Sequence, residues 1–204
     1  RLEIGRYHSG HIERIEYLKE TVRQGAGLSE DKLLNAAAMQ RGWDCLARFA
    51  ERLSGFEPEF VRAVATQTLR EARNREIFLI QATTILGFPI EVISGKEEAR
   101  LIYLGAAHSL PQSNEKRLVI DIGGRSTEMI LGKAYKPNTM ESYRVGSVKW
   151  SMKYFANGYF NSAAFSKAEI VSLALTPLFL STNSLFLASK ATCSISRFTR
   201  SLIV

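Results

Sequence analysis

The residues of this sequence best suited to phosphate chemistry lie between positions 118 and 132, LVIDIGGRSTEMILG. An apolar strand leads into a carboxylate, a glycine pair, two hydroxyls and a second carboxylate, after which apolar residues resume. These polar and glycine positions are Asp121, Gly123, Gly124, Ser126, Thr127 and Glu128. The alternation predicts a β-hairpin with the glycines at its tight turn, where glycine can adopt φ > 0. Such a turn, with a carboxylate at the strand end, suits a Mg²⁺-bound phosphate; an ordinary hairpin with a polar tip is the alternative.

A second group of carboxylates occurs upstream in residues 93–101, ISGKEEARL. Glu97 and Glu98 fall in the first turn of a predicted helix, where the helix dipole favours negative charge. Simple capping is therefore one interpretation. The other is that one carboxylate projects into a phosphate cleft and orients or deprotonates a water. Adjacent helical residues point about 100° apart, so at most one of the two is expected to face such a cleft.

A third candidate segment is residues 65–74, ATQTLREARN, in which a short strand passes through hydroxyl residues into a helix. Arg70 and Asn74 are four residues apart and are predicted to share a helix face. Arginine suits bidentate phosphate contact, and a helix beginning after such a turn suits an anion. A solvent-facing arginine on a charged helix is the alternative.

The bulk composition is that of an ordinary soluble globular protein, with 204 residues, 46% hydrophobic and 23% charged. The net charge of +7 suggests an anionic partner of unspecified kind, or merely a solvated basic surface. Cys45 and Cys193 lie outside any metal-ligand spacing and fit a reducing compartment. Charged residues interrupt the beginning of the chain, so no cleavable signal peptide is predicted and a cytoplasmic location is expected.

Strands and helices alternate along the chain. We therefore expect an α/β domain with a mixed sheet to position these residues. Ser29 is the predicted N-cap of a first helix that runs through Arg52 and ends at Gly55. The other expected helices cover residues 68–86 and 97–107, and the other expected strands cover residues 61–65, 90–93 and 141–145. Residues 170–189 are apolar and nearly long enough for a membrane span. Pro177 and the polar cluster at 181–184 favour a buried helix pair or an aberrant tail instead.

Three motifs, in this order, closely resemble the exopolyphosphatase and guanosine pentaphosphate phosphohydrolase (Ppx/GppA phosphatase) family: ATQTLREARN, EVISGKEEARLIYLG and VIDIGGRSTEMILG. MQRGWDCLARFAERLSGF and YRVGSVKWSMKYF also fit the family pattern. The resemblance runs from about residue 1 to 169. It implies an actin-like, sugar-kinase-like α/β fold, built from ribonuclease H-like halves around a phosphate cleft. It also implies Mg²⁺-dependent hydrolysis of the terminal phosphoanhydride of inorganic polyphosphate or guanosine pentaphosphate.

The resemblance also implies roles for individual residues. Glu98 matches the proposed general base, and Asp121 matches the metal-associated carboxylate. Glu128 closes the second phosphate loop, and Arg70 matches a helix arginine near the phosphates. The loop itself comprises Gly123, Gly124, Ser126 and Thr127. The family commonly dimerises, and neither nucleic acid nor, unless the tail inserts, a membrane is an expected partner.

The chain departs from the family pattern in three places. The family's first phosphate loop would lie before Arg1. Arg125 stands where a third glycine is expected, so its side chain could block phosphate or add a cation, with a strain cost of about 1 kcal/mol if the backbone needs φ > 0. The resemblance fades after residue 169.

With these departures, the resemblance implies a first domain over residues 1–110, the start of a second over 111–169, and a divergent tail over 170–204. A non-catalytic module that binds polyphosphate or the guanosine alarmone is therefore an alternative to the hydrolase. An actin-like kinase is a further alternative, although no adenosine-binding motif is visible.

Overall fold

The computed structural model describes residues 1–9, 11–111, 113–156, 158 and 160–175. These form two compact units that divide between Ser94 and Gly95. The helix that begins at Gly95 thus groups with the second unit. The domain boundaries expected at residues 110 and 169 stay a prediction.

The first unit surrounds one apolar core with short strands and three helices. Its elements are β1 (Leu2–His8), β2 (His11–Leu18), α1 (Ala36–Leu53), β3 (Ala63–Ala65), α2 (Gln67–Glu71), α3 (Arg75–Leu86) and β4 (Ile90–Val92). β1 and β2 are antiparallel, whereas β3 and β4 are parallel. Leu46 and Phe49 of α1 and Phe78 of α3 are fully buried, and the Trp43 ring stacks on Phe78 with centroids 5.9 Å apart. Ala63 and Ala65 of β3 belong to this core, and Ile90 and Val92 of β4 pack against it.

The first long helix begins later than predicted. Its N-cap is Asn35, whose Oδ1 accepts a hydrogen bond from the Ala38 amide at 2.8 Å. The predicted cap, Ser29, instead accepts a bond from the Leu33 amide within a turn. Lys32 has φ of 62°, which a right-handed helix does not allow, so the chain cannot become helical at Ser29. The end of the helix is as predicted, with Gly55 at φ of 87°.

The helix predicted over residues 68–86 is two helices, α2 and α3. Ala72 is extended, with ψ of 120°. The Asn74 side chain then pairs with both the N–H and the C=O of Leu34, each at 2.9 Å. This long-range pair fixes the break between the helices, so the prediction that Arg70 and Asn74 share a helix face is wrong. Gly87, at φ of 79°, ends α3 as predicted.

The second unit is a three-stranded sheet covered by a helix. Its elements are α4 (Gly95–His108), β5 (Lys116–Ile122), β6 (Thr127–Lys133), β7 (Lys136–Tyr143), α5 (Ser147–Tyr154) and α6 (Ser162–Leu175). The strands form an antiparallel meander in the order β5-β6-β7. Ile102 and Tyr103 of α4 pack on Ile130 at the centre of one sheet face. Helix α4 therefore covers the face of β6 that carries Ile130.

The expected mixed sheet is not observed among the described strands, and only part of the apolar run at residues 170–189 is described. The described strands form three separate sheets, two antiparallel and one parallel, rather than one mixed sheet, and the strand expected at 141–145 occupies Lys136–Tyr143. No helix in the described part of the chain is long and apolar enough to cross a bilayer. Most of the apolar run, from residue 176 onward, lies outside the described residues.

Candidate functional site

Three of the predicted site carboxylates share one side of the second unit. Asp121 on β5 pairs directly with Glu128 on β6, so both side chains lie on the same sheet face. Glu128 and Ile130 are two residues apart and share that face, which α4 covers. Glu98 lies in the first turn of α4 and interacts electrostatically with Glu128, as does Asp121. The fold thus brings together carboxylates that are up to 30 residues apart in the chain.

Glu128 is the most deeply buried of the three, with 1% of its surface exposed. Burial, followed by the charge of Glu98 and more weakly that of Asp121, raises the pKa of Glu128 to about 7. Hydrogen bonds from Ser142, at 2.7 Å, and from Ser126 act in the opposite direction. Glu128 therefore exchanges its proton near neutral pH, unlike an ordinary surface carboxyl.

The two adjacent glutamates of α4 diverge as predicted. Glu98 is buried, with 5% exposure. Glu97 instead forms a bidentate pair with Arg100, at 2.7 and 2.8 Å. Only Glu98 is therefore placed among the buried carboxylates.

The glycine loop between β5 and β6 has a different geometry from the predicted one. Neither Gly123, Gly124 nor Arg125 has a positive φ, so the prediction of a left-handed glycine turn is wrong and Arg125 bears no such strain. Glycine is favoured here by space instead. A Cβ on Gly123 would lie 3.0 Å from the Ser126 carbonyl oxygen, which itself accepts a bond from the Gly123 amide at 2.9 Å.

The start of α5 packs directly against this loop. The Ser147 amide donates to the Gly123 carbonyl at 2.9 Å, and the Val148 and Lys149 amides both donate to the Gly124 carbonyl, at 2.9 and 3.0 Å. A Cβ on Gly146 would lie 2.4–2.5 Å from backbone atoms of the loop, so only glycine fits there. Sequence reasoning missed this contact. The sequence signal for this contact is the glycine within YRVGSVKWSMKYF.

Both predicted loop hydroxyls make hydrogen bonds within the protein. Ser126 is buried and bonds to Glu128. Thr127 donates from Oγ1 to the Val145 carbonyl at 2.6 Å. Ser126 thereby connects the loop to Glu128, and Thr127 connects it to the segment that precedes α5.

Arg70 lies in the first unit, whereas the other predicted site residues lie in the second. Its guanidinium donates to the Ile93 carbonyl at 2.8 Å, just after β4, and to Gln67 Oε1 at 2.6 Å. Gln67 is itself buried and donates to Glu71 at 2.7 Å. These bonds fix the guanidinium at the carboxyl end of β4.

Among the described residues, no three His, Cys, Asp or Glu side chains are placed to hold one metal ion. Magnesium is commonly held by one or two carboxylates completed by water and substrate phosphates. The donor set at Asp121 fits that kind of site. Burial is the main reason for the raised pKa of Glu128, and the charges of Glu98 and Asp121, which add to it, are what a divalent cation would offset.

Comparison with known protein sequences gives one family and a set of close relatives. The model of the Ppx/GppA phosphatase family matches residues 4–181, beyond residue 169, where the resemblance was expected to fade. A guanosine-5'-triphosphate,3'-diphosphate pyrophosphatase of Vibrio vulnificus is 45% identical over 163 residues, which are 80% of this chain and 33% of that protein. The protein of the same name from Photobacterium profundum is 45% identical over 160 residues. The chain spans about a third of the length of these curated relatives.

Solved structures agree with the fold. An exopolyphosphatase-like protein has a TM-score of 0.76 and 27% identity, covering 81% of this chain and 53% of that one. The Aquifex aeolicus Ppx/GppA enzyme has a TM-score of 0.63 and 30% identity, covering 74% and 50%. An exopolyphosphatase from Cytophaga hutchinsonii, with a TM-score of 0.78, 20% identity and coverage of 90% and 59%, supports the fold alone. The α/β phosphatase fold class implied by the resemblance is thereby confirmed.

Proposed function

Since this chain belongs to the Ppx/GppA phosphatase family, we propose that it carries the catalytic carboxylates of a Mg²⁺-dependent exopolyphosphatase. The reaction is attack of water on the terminal phosphorus of inorganic polyphosphate. The bridging P–O bond breaks, orthophosphate is released, and the shortened chain keeps the bridging oxygen. The observation that carries the proposal is the set of Glu98, Asp121 and Glu128 on one side of the sheet, beside a glycine loop.

Each carboxylate has a distinct role in this proposal. Glu98, buried at the start of α4, orients the attacking water and accepts its proton. Asp121, next to the end of β5, would hold Mg²⁺, which would supply neutralisation of phosphate charge and alignment of the terminal group. Glu128 supports the loop through its bond with Ser126.

The glycine loop supplies contacts to the terminal phosphate. Backbone amides in such a turn are suitable donors to a phosphate oxygen, and the Arg125 guanidinium adjoins them as a further cation. Arg70, in the first unit, keeps the phosphate-binding role that the resemblance implies for it. The net charge of +7 suits a polyanionic substrate without requiring nucleic acid as a partner.

The same chemistry would remove the terminal phosphate of guanosine pentaphosphate, and the names of the curated relatives give that type of substrate. Guanosine pentaphosphate is therefore the alternative substrate to polyphosphate, with the same mechanism. A cytoplasmic location belongs to the proposal too, and the free Cys45 thiol is compatible with it. Formation of a homodimer also stays a prediction.

The test compares two neighbouring glutamates. The purified chain is incubated with polyphosphate, or separately with guanosine pentaphosphate, and Mg²⁺, and released orthophosphate is measured. We expect Glu98→Gln to abolish release, while Glu97→Gln, the matched change at the half-buried neighbour that pairs with Arg100, retains it. Equal activity of the two variants would remove Glu98 from the mechanism.

If the wild-type chain releases no orthophosphate, this chain by itself does not catalyse the reaction. Equilibrium binding of the same two ligands then separates the outcomes. Saturable binding without release identifies a non-catalytic module, and absence of binding overturns the proposal.

A further inference from the structure

The first turn of α5 holds two consecutive carbonyl groups of the glycine loop. Gly123 C=O accepts from the Ser147 amide, and Gly124 C=O accepts from the Val148 and Lys149 amides, all at 2.9–3.0 Å. The amides at the start of α5 are therefore engaged with the loop. An anion at this helix end would have to displace the loop before it could bind there.

The direction of these carbonyls fixes the direction of the next amides. No peptide bond in the described residues is cis, and in a trans peptide the N–H points opposite to the C=O of the preceding residue. Because the carbonyls of Gly123 and Gly124 point toward α5, the amides of Gly124 and Arg125 point away from it. Two successive amides directed to one side form a small concave donor group of the kind that binds phosphate.

From this geometry we infer that Ser147 and Gly146 are positioning residues for the phosphate loop. The Ser147 amide holds the Gly123 carbonyl, and Gly146 permits the close approach. The amides of Gly124 and Arg125 are thereby presented to the terminal phosphoryl group of the substrate. This inference rests on the proposed function, because it assumes that the loop binds phosphate.

Gly146 is needed for distance rather than for backbone handedness. Its φ is −154°, which any residue can adopt, yet a Cβ would lie 2.4 Å from the Arg125 amide nitrogen and 2.5 Å from the Gly124 carbonyl carbon. These are backbone atoms, which cannot swing aside as a side chain can. Any other residue at this position forces the loop and α5 apart.

A proline substitution at Ser147 tests the contact selectively. Ser147 is the first residue of α5, where proline is favoured, and the extended backbone of Gly146 suits the residue before a proline. Ser147→Pro removes the amide donor to Gly123 and places the ring Cδ against the same carbonyl, so it breaks this contact while α5 can still form. Ser147→Ala is the matched control, because it keeps the amide and loses only a 3.3 Å hydroxyl contact to the same carbonyl.

The probe is inorganic tripolyphosphate with Mg²⁺, added to the full chain and followed by calorimetry and by amide chemical shifts. In the wild type we expect the Gly124 and Arg125 amide protons to move downfield, and the Ser147 and Val148 amides to move little. Ser147→Ala is expected to behave like the wild type. Ser147→Pro is expected to bind at least about tenfold more weakly, with the two loop shifts reduced.

The outcomes separate this inference from the proposed function. No binding by the wild type contradicts the proposed function itself. Wild-type binding that Ser147→Pro retains in full, with unchanged loop shifts, overturns the positioning role alone. If Ser147→Pro fails to fold, the wild-type shifts still decide: larger movement at Ser147 and Val148 than at Gly124 and Arg125 would place the anion on the helix and overturn the inference.

Discussion

Asp121 and Glu128 are a directly opposed pair on β5 and β6, so the sheet holds two carboxylates on one face, where they repel each other. Because Glu128 is buried and the Glu98 charge is also near, the structure favours its neutral form and raises its pKa to about 7. An unfolded glutamate has a pKa of about 4.3. Protonation of Glu128 is therefore coupled to folding.

The first prediction is that Glu128 makes the metal-free protein less stable as pH rises. Its folded-state pKa is raised, so the stabilisation is complete below the unfolded pKa of about 4.3 and is lost as pH rises through about 7. In EDTA, the free energy of unfolding of the wild type should fall more between about pH 5 and pH 8 than that of Glu128→Gln, which stays neutral. Urea denaturation at several pH values measures this difference. Parallel pH profiles for the two proteins would contradict the linkage.

The second prediction concerns the metal and Asp121. With Mg²⁺ and tripolyphosphate at a hundredfold excess over Kd, ligand binding should raise the wild-type Tm by about 5–10 °C. Asp121→Asn should lose most of this rise. Glu141→Gln is the matched control, because Glu141 pairs with Met129 on the opposite sheet face. Calorimetric melting gives the shift, and chelation with EDTA should reverse it. A full rise in Asp121→Asn would exclude Asp121 as a ligand.

The third prediction separates the observed helix cap from the expected one. Asn35 caps α1 and also lies against Gly27, whereas Ser29 only closes an exposed turn. Asn35→Ala should lower the free energy of unfolding by about 1 kcal/mol, the usual cost of losing an N-cap. Ser29→Ala should lower it by less than half as much. Denaturant melts of both variants test the order, and a larger loss in Ser29→Ala would be the contrary result.

The sequence predicts much of the local structure because its signals are local. The β5–β6 hairpin follows from alternation, and the ends of α1 and α3 follow from Gly55 and Gly87. The break between α2 and α3 was not predictable in this way. It depends on the pairing of Asn74 with Leu34, which are 40 residues apart.

The same distinction holds at the candidate site. The family motifs pointed to Glu98, Asp121 and Glu128 as site residues, and helical geometry predicted only that at most one of Glu97 and Glu98 faces a cleft. The ordinary backbone of the glycine loop could not be predicted, because its shape depends on α5, about 20 residues further along the chain. The hydrogen bonds that the Ser126 and Thr127 hydroxyls make within the protein could not be predicted either, because the fold brings their partners to them.

The last prediction is that the Cys45 thiol reacts slowly in the folded protein. Its burial, reinforced by the nearby Glu20 carboxylate, raises the pKa of Cys45 to about 11, while an exposed cysteine has a pKa of about 8.5. The reactive species is the thiolate. Alkylation by iodoacetamide at about pH 8 should therefore be at least about a hundredfold slower in the native protein than in urea.

A Cys193→Ser background makes Cys45 the sole thiol for this measurement. Since the folded pKa is raised, the native rate should keep increasing beyond about pH 10, after the rate in urea has levelled off. Glu20→Gln should shift the native profile to lower pH, because it removes a negative charge and leaves the Arg48 guanidinium beside the thiol. A native profile that levels off near pH 8.5, as for a free cysteine, would show that neither burial nor Glu20 controls this thiol.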